Sequence, residues 1–173
     1  MEYAVFLRAI NVGRANRIRM DELKTVCAGA ALEQPVTYLQ SGNLVLSAKG
    51  SGEAVATAIE EALAGHGLKN VSAMVRSREE LEGLVADFPS KRYDGDAYRR
   101  YVTFLRHPAA SESIELPAPA ELVALREREV LSVVRSEVMP GPDLNGIISR
   151  ELGVRVTTRY WHVAEALLGL MAR

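Results

Sequence analysis

The chain has 173 residues, of which 48% are apolar and 25% are charged, and its formal net charge is -1. This balance is typical of a soluble globular protein with one domain or two small ones, and the near-neutral total excludes a general electrostatic attraction to nucleic acid or membranes. No apolar stretch is long enough to span a membrane, and the N-terminus lacks a signal-peptide pattern. The single cysteine, Cys27, excludes an intramolecular disulfide. We therefore expect a cytoplasmic protein without a membrane partner.

The first half of the chain shows alternating strand and helix patterns. Residues 3–10 are apolar and β-rich, and the Gly42-Asn43 dipeptide is typical of a tight hairpin turn, which requires a positive φ. Ser77 and Glu80, three residues later, predict the capping box of a helix. The predicted elements are a strand at 3–10, a polar connection at 11–19, a helix at 20–30, two short strands within 35–48, a helix at 51–67, a strand at 71–76 and a helix at 77–88.

The second half repeats this order after a polar linker that is predicted at 89–99. The predicted elements are a strand at 100–106, a loop at 107–119, a helix at 120–127, strands at 129–134 and 136–140, a helix at 142–153, a strand at 154–159 and a helix at 160–172. Each half therefore reads β-α-β-β-α-β with a closing helix. We predict an α+β fold of two ferredoxin-like α/β plaits, at 1–88 and 100–173.

The first candidate site is the opening loop, defined here as residues 8–19. It carries four arginines and no acidic residue, and Gly13 can adopt the positive φ of a turn before a helix. The N–H groups at a helix N-terminus bind anions, and arginine pairs with phosphate. The P-loop and dinucleotide-binding glycine patterns are both absent. The alternative is a solvated strand-to-helix connection in which asparagines stabilise turns.

The second candidate site is the hairpin tip, defined here as residues 40–43. Turn geometry accounts for Gly42 and Asn43, whereas Gln40 and Ser41 are unusual at the ends of simple strands. Their amide and hydroxyl groups would either bind a base edge or lock the tip to a neighbouring loop.

Aromatic and cationic residues also gather at 159–162, where a strand gives way to the last helix. His162 has the side-chain type of a general base, but no catalytic partner is evident beside it, and Trp161 is expected to anchor the helix. The three histidines show no metal-ligand spacing, so we expect neither a metal nor a cofactor. The candidate ligand-binding residues are Arg8, Asn11, Gly13, Arg14, Asn16, Arg17, Arg19, Gln40, Ser41, Asn43, Arg159 and His162.

Three segments, FLRAINVGRANRIRMDEL, TYLQSGNLVL and TTRYWHVAEAL, resemble in order the motifs of the domain-of-unknown-function 1697 family of bacterial proteins. The resemblance implies two ferredoxin-like plaits and implies no activity. The chain departs from the family pattern at Ala9 and Arg14, where glycine is usual. It also departs at Tyr160 and His162, where asparagine is frequent, and at Glu165, where lysine is frequent.

Three functions follow as hypotheses. The first is a non-catalytic protein that binds an anion, a nucleotide or nucleic acid, through the opening loop and the hairpin tip, provided that both meet at one rim. The second is an enzyme acting on a small phosphorylated or carboxylated substrate in a cleft between the halves, with Arg8, Gln40, Asn43 and His162 as first candidates. The third is a structural protein whose sheets pair into a homodimer.

Overall fold

A computed structural model describes residues 1–86, 92–93 and 95–171 of the chain. These residues form eight strands and five helices, as follows: β1 (Glu2–Arg8), α1 (Met20–Gly29), β2 (Glu33–Tyr38), β3 (Asn43–Ser47), α2 (Gly52–Gly65), β4 (Ser72–Ser77), α3 (Arg78–Ala86), β5 (Tyr98–Leu105), β6 (Ala120–Leu125), β7 (Glu129–Arg135), α4 (Leu144–Leu152), β8 (Val156–Tyr160) and α5 (Trp161–Met171). Parts of the predicted linker, 89–91 and 94, and the last residues of two predicted helices, 87–88 and 172, lie outside the described residues.

The strands form two four-stranded antiparallel sheets, in the orders β2-β3-β1-β4 and β6-β7-β5-β8. In both sheets the first strand of the half lies between the third and the fourth, which is the order that a β-α-β-β-α-β plait produces. The predicted α+β fold with two similar halves is confirmed. The chain divides into two compact units, one of Met1–Gly83 with Glu165–Arg173 and one of Leu84–Ala164.

Two elements predicted for the second half are wrong. Residues 120–127 were expected to be helical, because "AELVALRE" is rich in helix formers, but Ala120–Leu125 form β6. This segment pairs antiparallel with β7, with a register shift between Leu122 and Ala124, and so completes the sheet edge. Pairing and packing thus override local helix propensity. The predicted strand at 136–140 is also wrong, because residues 136 and 137 form a turn. The second half therefore has four strands but lacks its first predicted helix.

The core of the first unit forms where β1 faces helices α1 and α2. Tyr3, Val5 and Leu7 alternate along β1 and pack in one cluster with residues such as Leu23 and Ile59 of the two helices. The residues between them, including Phe6, are also buried, so β1 is enclosed on both faces until Arg8. The opening loop therefore starts from a rigid strand end.

The hairpin tip rests directly on this strand end. The backbone N–H of Leu7 donates to the Gly42 carbonyl at 2.8 Å. A Cβ at Gly42 would lie 2.6 Å from Ile10 Cδ1 and 2.8 Å from Leu7 Cβ, and the φ of Gly42 is +76°. Glycine is required here both for its conformation and for the close approach.

Gly42→Ala should lower the free energy of unfolding by about 3 kcal/mol, because the methyl group overpacks a buried contact in a left-handed backbone. Urea denaturation followed by circular dichroism measures the change. Gly13→Ala is the matched control, since Gly13 has a φ of +61° but no atom within 4 Å of an added Cβ. It should cost only about 1 kcal/mol of conformational strain. Equal losses in the two variants would show that the contact at Gly42 does not constrain the tip.

Candidate functional site

The opening loop and the hairpin tip meet, as the first hypothesis requires. Asn11 lies in the loop, and its Nδ2 donates to the carbonyl of Ile18 and to that of Gln40 in the tip, both at 3.0 Å. Its Oδ1 accepts from the N–H of Ile18 at 2.9 Å. One amide side chain therefore closes the loop on itself and joins it to the tip.

A second amide fixes the other side of the loop. Asn16 Nδ2 donates to the carbonyls of Ala9 and Lys69, each at 2.7 Å, and its Oδ1 accepts from the N–H of Lys69 at 2.9 Å. This ties the loop to the connection between α2 and β4. Because Asn11 and Asn16 use their amides within the protein, they stabilise turns, as in the alternative considered for them above.

The backbone of the loop turns through four left-handed residues. Ala9, Asn11, Gly13 and Asn16 have φ values of 65°, 53°, 61° and 51°. Asparagine and glycine tolerate this region, whereas alanine adopts it at a cost of about 1–2 kcal/mol. The loop is thus a series of tight turns held by side-chain amides, and its conformation does not depend on a ligand.

The four arginines of the loop divide into two kinds. Arg19 pairs with Asp21, with Nη2 to Oδ2 at 2.5 Å and Nε to Oδ1 at 3.1 Å. In contrast, Arg8, Arg14 and Arg17 make no hydrogen bond or ion pair with any residue that the structure describes. Arg14 and Arg17 are exposed, and Arg8 is half-buried at the end of β1, opposite Ser72.

The N-terminus of α1 is occupied by the protein's own carboxylates. Asp21 Oδ1 accepts from the N–H of Glu22 at 3.0 Å, and Glu22 Oε1 lies 2.6 Å from His66 Nε2. The hydrogen bond from Arg19 lowers the pKa of Asp21, and that from His66 lowers the pKa of Glu22. The anion site that we expected at this helix end is therefore filled by acidic side chains, as the helix dipole favours.

A concave surface of about 530 Å³ joins the loop, the tip and the start of α1. Its lining residues are Asn11, Arg17, Ile18, Arg19, Met20, Asp21, Glu22 and Gln40. With Asp21 and Glu22 held by their own partners, Arg17 is the charged group of this lining that has no partner among the described residues. The volume falls within the range of small-molecule sites.

The hairpin tip contributes one unengaged polar side chain. Asn43 is buried, and its Nδ2 donates to the Tyr38 carbonyl at 3.1 Å and to Ser41 Oγ at 2.8 Å. Gln40 is exposed; its backbone carbonyl accepts from Asn11, but its side-chain amide bonds to no residue in the described part of the chain. Ser41 and Asn43 thus build the turn, and the Gln40 amide faces solvent.

The two remaining candidates, Arg159 and His162, belong to the second unit. Arg159 Nη1 donates to Thr157 Oγ1 at 2.7 Å and to the Thr158 carbonyl at 2.9 Å, and burial lowers the pKa of Arg159 to about 10. His162 is exposed and stacks on Tyr160, with centroids 5.6 Å apart and planes 14° apart. The candidate residues of the enzyme hypothesis therefore belong to two units, because Arg8, Gln40 and Asn43 are in the first unit and His162 is in the second.

The second unit contains a stack of three rings that the sequence does not predict. Tyr160 lies between His162 and Tyr101, and its ring centroid is 4.9 Å from that of Tyr101. Tyr101 and Tyr160 are direct neighbours on β5 and β8. Only the strand register brings them together, so no local pattern signals the stack.

The described residues show no metal site, no reactive thiolate and no membrane-spanning helix. No group of three or more His, Cys, Asp or Glu side chains there is arranged to hold a metal ion. Burial raises the pKa of the Cys27 thiol to about 11, so a reactive thiolate does not form near neutral pH. None of the described helices is both long and apolar enough to cross a membrane.

Asn16→Asp should lower the free energy of unfolding by about 1–3 kcal/mol, because it removes two hydrogen bonds to carbonyls while keeping the shape of the side chain. Denaturant unfolding at pH 7 provides the measurement. Asn70→Asp is the matched control, since Asn70 is also left-handed, with a φ of 57°, and exposed. An effect of Asn16→Asp no larger than that of the control would contradict the role of Asn16 as a lock.

Burial raises the pKa of Tyr101 to about 12, and the hydrogen bond with Tyr160 is the second largest cause of this shift. The folded state therefore keeps the proton of Tyr101 above pH 10, where an unfolded tyrosine loses it. This contribution to stability is complete below pH 10 and is lost as the pH rises through 12. Spectrophotometric titration of tyrosinate should show a step near pH 12 that Tyr101→Phe removes. An unchanged titration curve in the variant would contradict the assignment.

The comparisons with known proteins place the chain among uncharacterised relatives. A family model described as "Protein of unknown function (DUF1697)" matches residues 1–138. A solved structure, "The structure of conserved bacterial protein SP0830 from Streptococcus pneumoniae", is similar with a TM-score of 0.75 and 21% identity, over 99% of this chain and 98% of that chain. At this identity the likeness shows the fold alone. No curated protein matches.

Proposed function

The chain belongs to the family of proteins of unknown function DUF1697, and from the geometry of the opening loop we propose that it is a non-catalytic binding protein for a phosphate-bearing anion, either a nucleotide or nucleic acid. The observation that carries this proposal is the pair Arg14 and Arg17. Both guanidinium groups are exposed, and neither has a partner among the described residues.

The fixed shape of the loop supports binding. Ordering a flexible loop costs conformational entropy at the moment of association, and a loop that is already ordered avoids this cost. The amides of Asn11 and Asn16 hold the loop without help from the arginines. The charged side chains are therefore presented from a scaffold that exists before the ligand arrives.

The backbone adds further donors beside the arginines. The N–H groups of Val12, Gly13 and Arg14 donate to no acceptor within the described residues. Turns that alternate through left-handed residues direct successive N–H groups toward one side, which is a common way of binding phosphate. Arginine and backbone donors together suit the several oxygens of a phosphate group better than a single carboxylate.

The acid–base properties of the lining favour binding over catalysis. Asp21 and Glu22 are the carboxylates of the concave surface, and their hydrogen bonds lower the pKa of each. A general acid or base works best with a pKa near the operating pH, and these shifts move away from neutrality.

Arg14→Ala and Arg17→Ala should each weaken binding of a short single-stranded oligonucleotide by about 3- to 10-fold at low salt. Each should also reduce the slope of log K against log salt by about 0.7, because one phosphate contact is lost. Fluorescence anisotropy over a series of salt concentrations measures both quantities.

Arg150→Ala is the matched control for these variants. Arg150 is an exposed arginine of α4 that has no partner among the described residues, so its replacement removes the same charge elsewhere. Its affinity and salt slope should equal those of the wild type. Affinity that is independent of salt, or equal losses in all three variants, would contradict a phosphate site in the opening loop.

A further inference from the structure

Two exposed aliphatic side chains flank the contact between the opening loop and the hairpin tip. Val12 is 72% exposed and Leu39 is 55% exposed. Each adjoins in sequence a residue of the hydrogen bond between Asn11 Nδ2 and the Gln40 carbonyl. That bond, 3.0 Å long, brings the two segments together at the rim of the concave surface.

Leu39 is unfavourable in the isolated protein on two counts. Its backbone has a φ of 57°, a region that a residue with a side chain adopts less readily than glycine does. Its side chain gains little from burial, because more than half of it faces water. Asparagine or glycine would adopt this backbone more readily than leucine. We therefore expect a binding partner to cover the Leu39 side chain.

The polar groups beside these side chains indicate the nature of that partner. The Gln40 amide offers both a donor and an acceptor, and it bonds to no residue in the described part of the chain. A hydrocarbon chain would leave this amide without a partner. A nucleobase has apolar faces and an edge of donors and acceptors, and such edges are bound by side-chain amides in single-stranded nucleic acids.

We propose that Val12 and Leu39 pack against a nucleobase whose edge bonds to the Gln40 amide, while Arg14 and Arg17 hold its phosphate. This inference rests on the proposed phosphate-binding function and names the ligand as a nucleotide unit. The unit is either a free nucleotide or part of a single strand. Of these residues, Arg17 and Gln40 line the concave surface of about 530 Å³, and Val12 and Leu39 are next in sequence to Asn11 and Gln40 of that lining.

The test compares a short single-stranded oligonucleotide with an abasic strand of the same length, label and phosphate number. The wild-type protein should bind the base-bearing strand about 5- to 10-fold more tightly, because covering Val12 and Leu39 removes apolar surface from water. Leu39→Gly should bring the affinity for the base-bearing strand close to that for the abasic strand, and should leave abasic binding unchanged. Glycine at position 39 suits the left-handed backbone, so this variant should keep its fold.

Val36→Ser is the control for loss of apolar surface, since Val36 is 48% exposed and lies within β2, outside the tip. It should bind both strands like the wild type. Displacement of the labelled strand by a nucleoside monophosphate, but not by inorganic phosphate, would support a free nucleotide as the ligand. Binding of the strand without displacement by the monophosphate would support a nucleotide within a chain.

The two proposals fail in different ways. Equal binding of base-bearing and abasic strands by the wild type would overturn the base contact and leave the phosphate site standing. An equal loss of affinity for both strands in Leu39→Gly would also overturn the base contact. No binding of either strand at low salt, together with no binding of a nucleoside monophosphate, would overturn both proposals.

Discussion

Two asparagine side chains determine the shape of the opening loop, and the rest of the site depends on them. Asn11 and Asn16 each make three hydrogen bonds with backbone groups, and together they tie the loop to the hairpin tip and to the connection before β4. The loop contributes few buried side chains, chiefly Ile10 and Ile18, so packing alone would leave it mobile. The amides replace the hydrogen bonds that regular secondary structure would otherwise provide.

This arrangement separates the residues that build the site from those free to bind. The amides of Asn11 and Asn16, the left-handed turns and the close contact at Gly42 are structural. Arg14 and Arg17 have no structural partner among the described residues. The carboxylates at the start of α1 are held by Arg19 and His66. Among the described residues, Arg14 and Arg17 are thus cations without a partner on a protein whose net charge is -1, while the nearby carboxylates are already paired.

Sequence predicted those features that depend on local periodicity and on turn residues. The apolar, β-rich run at 3–10 and the Gly42-Asn43 turn predicted strands of the first sheet, and the hypothesis that loop and tip meet at one rim agrees with the hydrogen bond from Asn11 to Gln40. The sequence did not predict the strand at Ala120–Leu125. The residues of this segment are helix formers, but they pair with β7 at the edge of the sheet. The sequence also did not predict the stacking of Tyr101 on Tyr160, which depends on strand register. The sequence could not predict which arginines form ion pairs, because ion pairing depends on the direction of each side chain.

The backbone N–H groups of residues 12–14 allow the most direct test of the phosphate site. Amide resonances of isotope-labelled protein can be followed while a short single-stranded oligonucleotide is added at low salt. We expect the largest shifts at residues 12–14 and at the side chains of Arg14 and Arg17, together with slower exchange of these amides as they bond to phosphate. Shifts confined to the residues around Tyr160 and His162, with the opening loop unchanged, would contradict the proposal and place the ligand on the second unit.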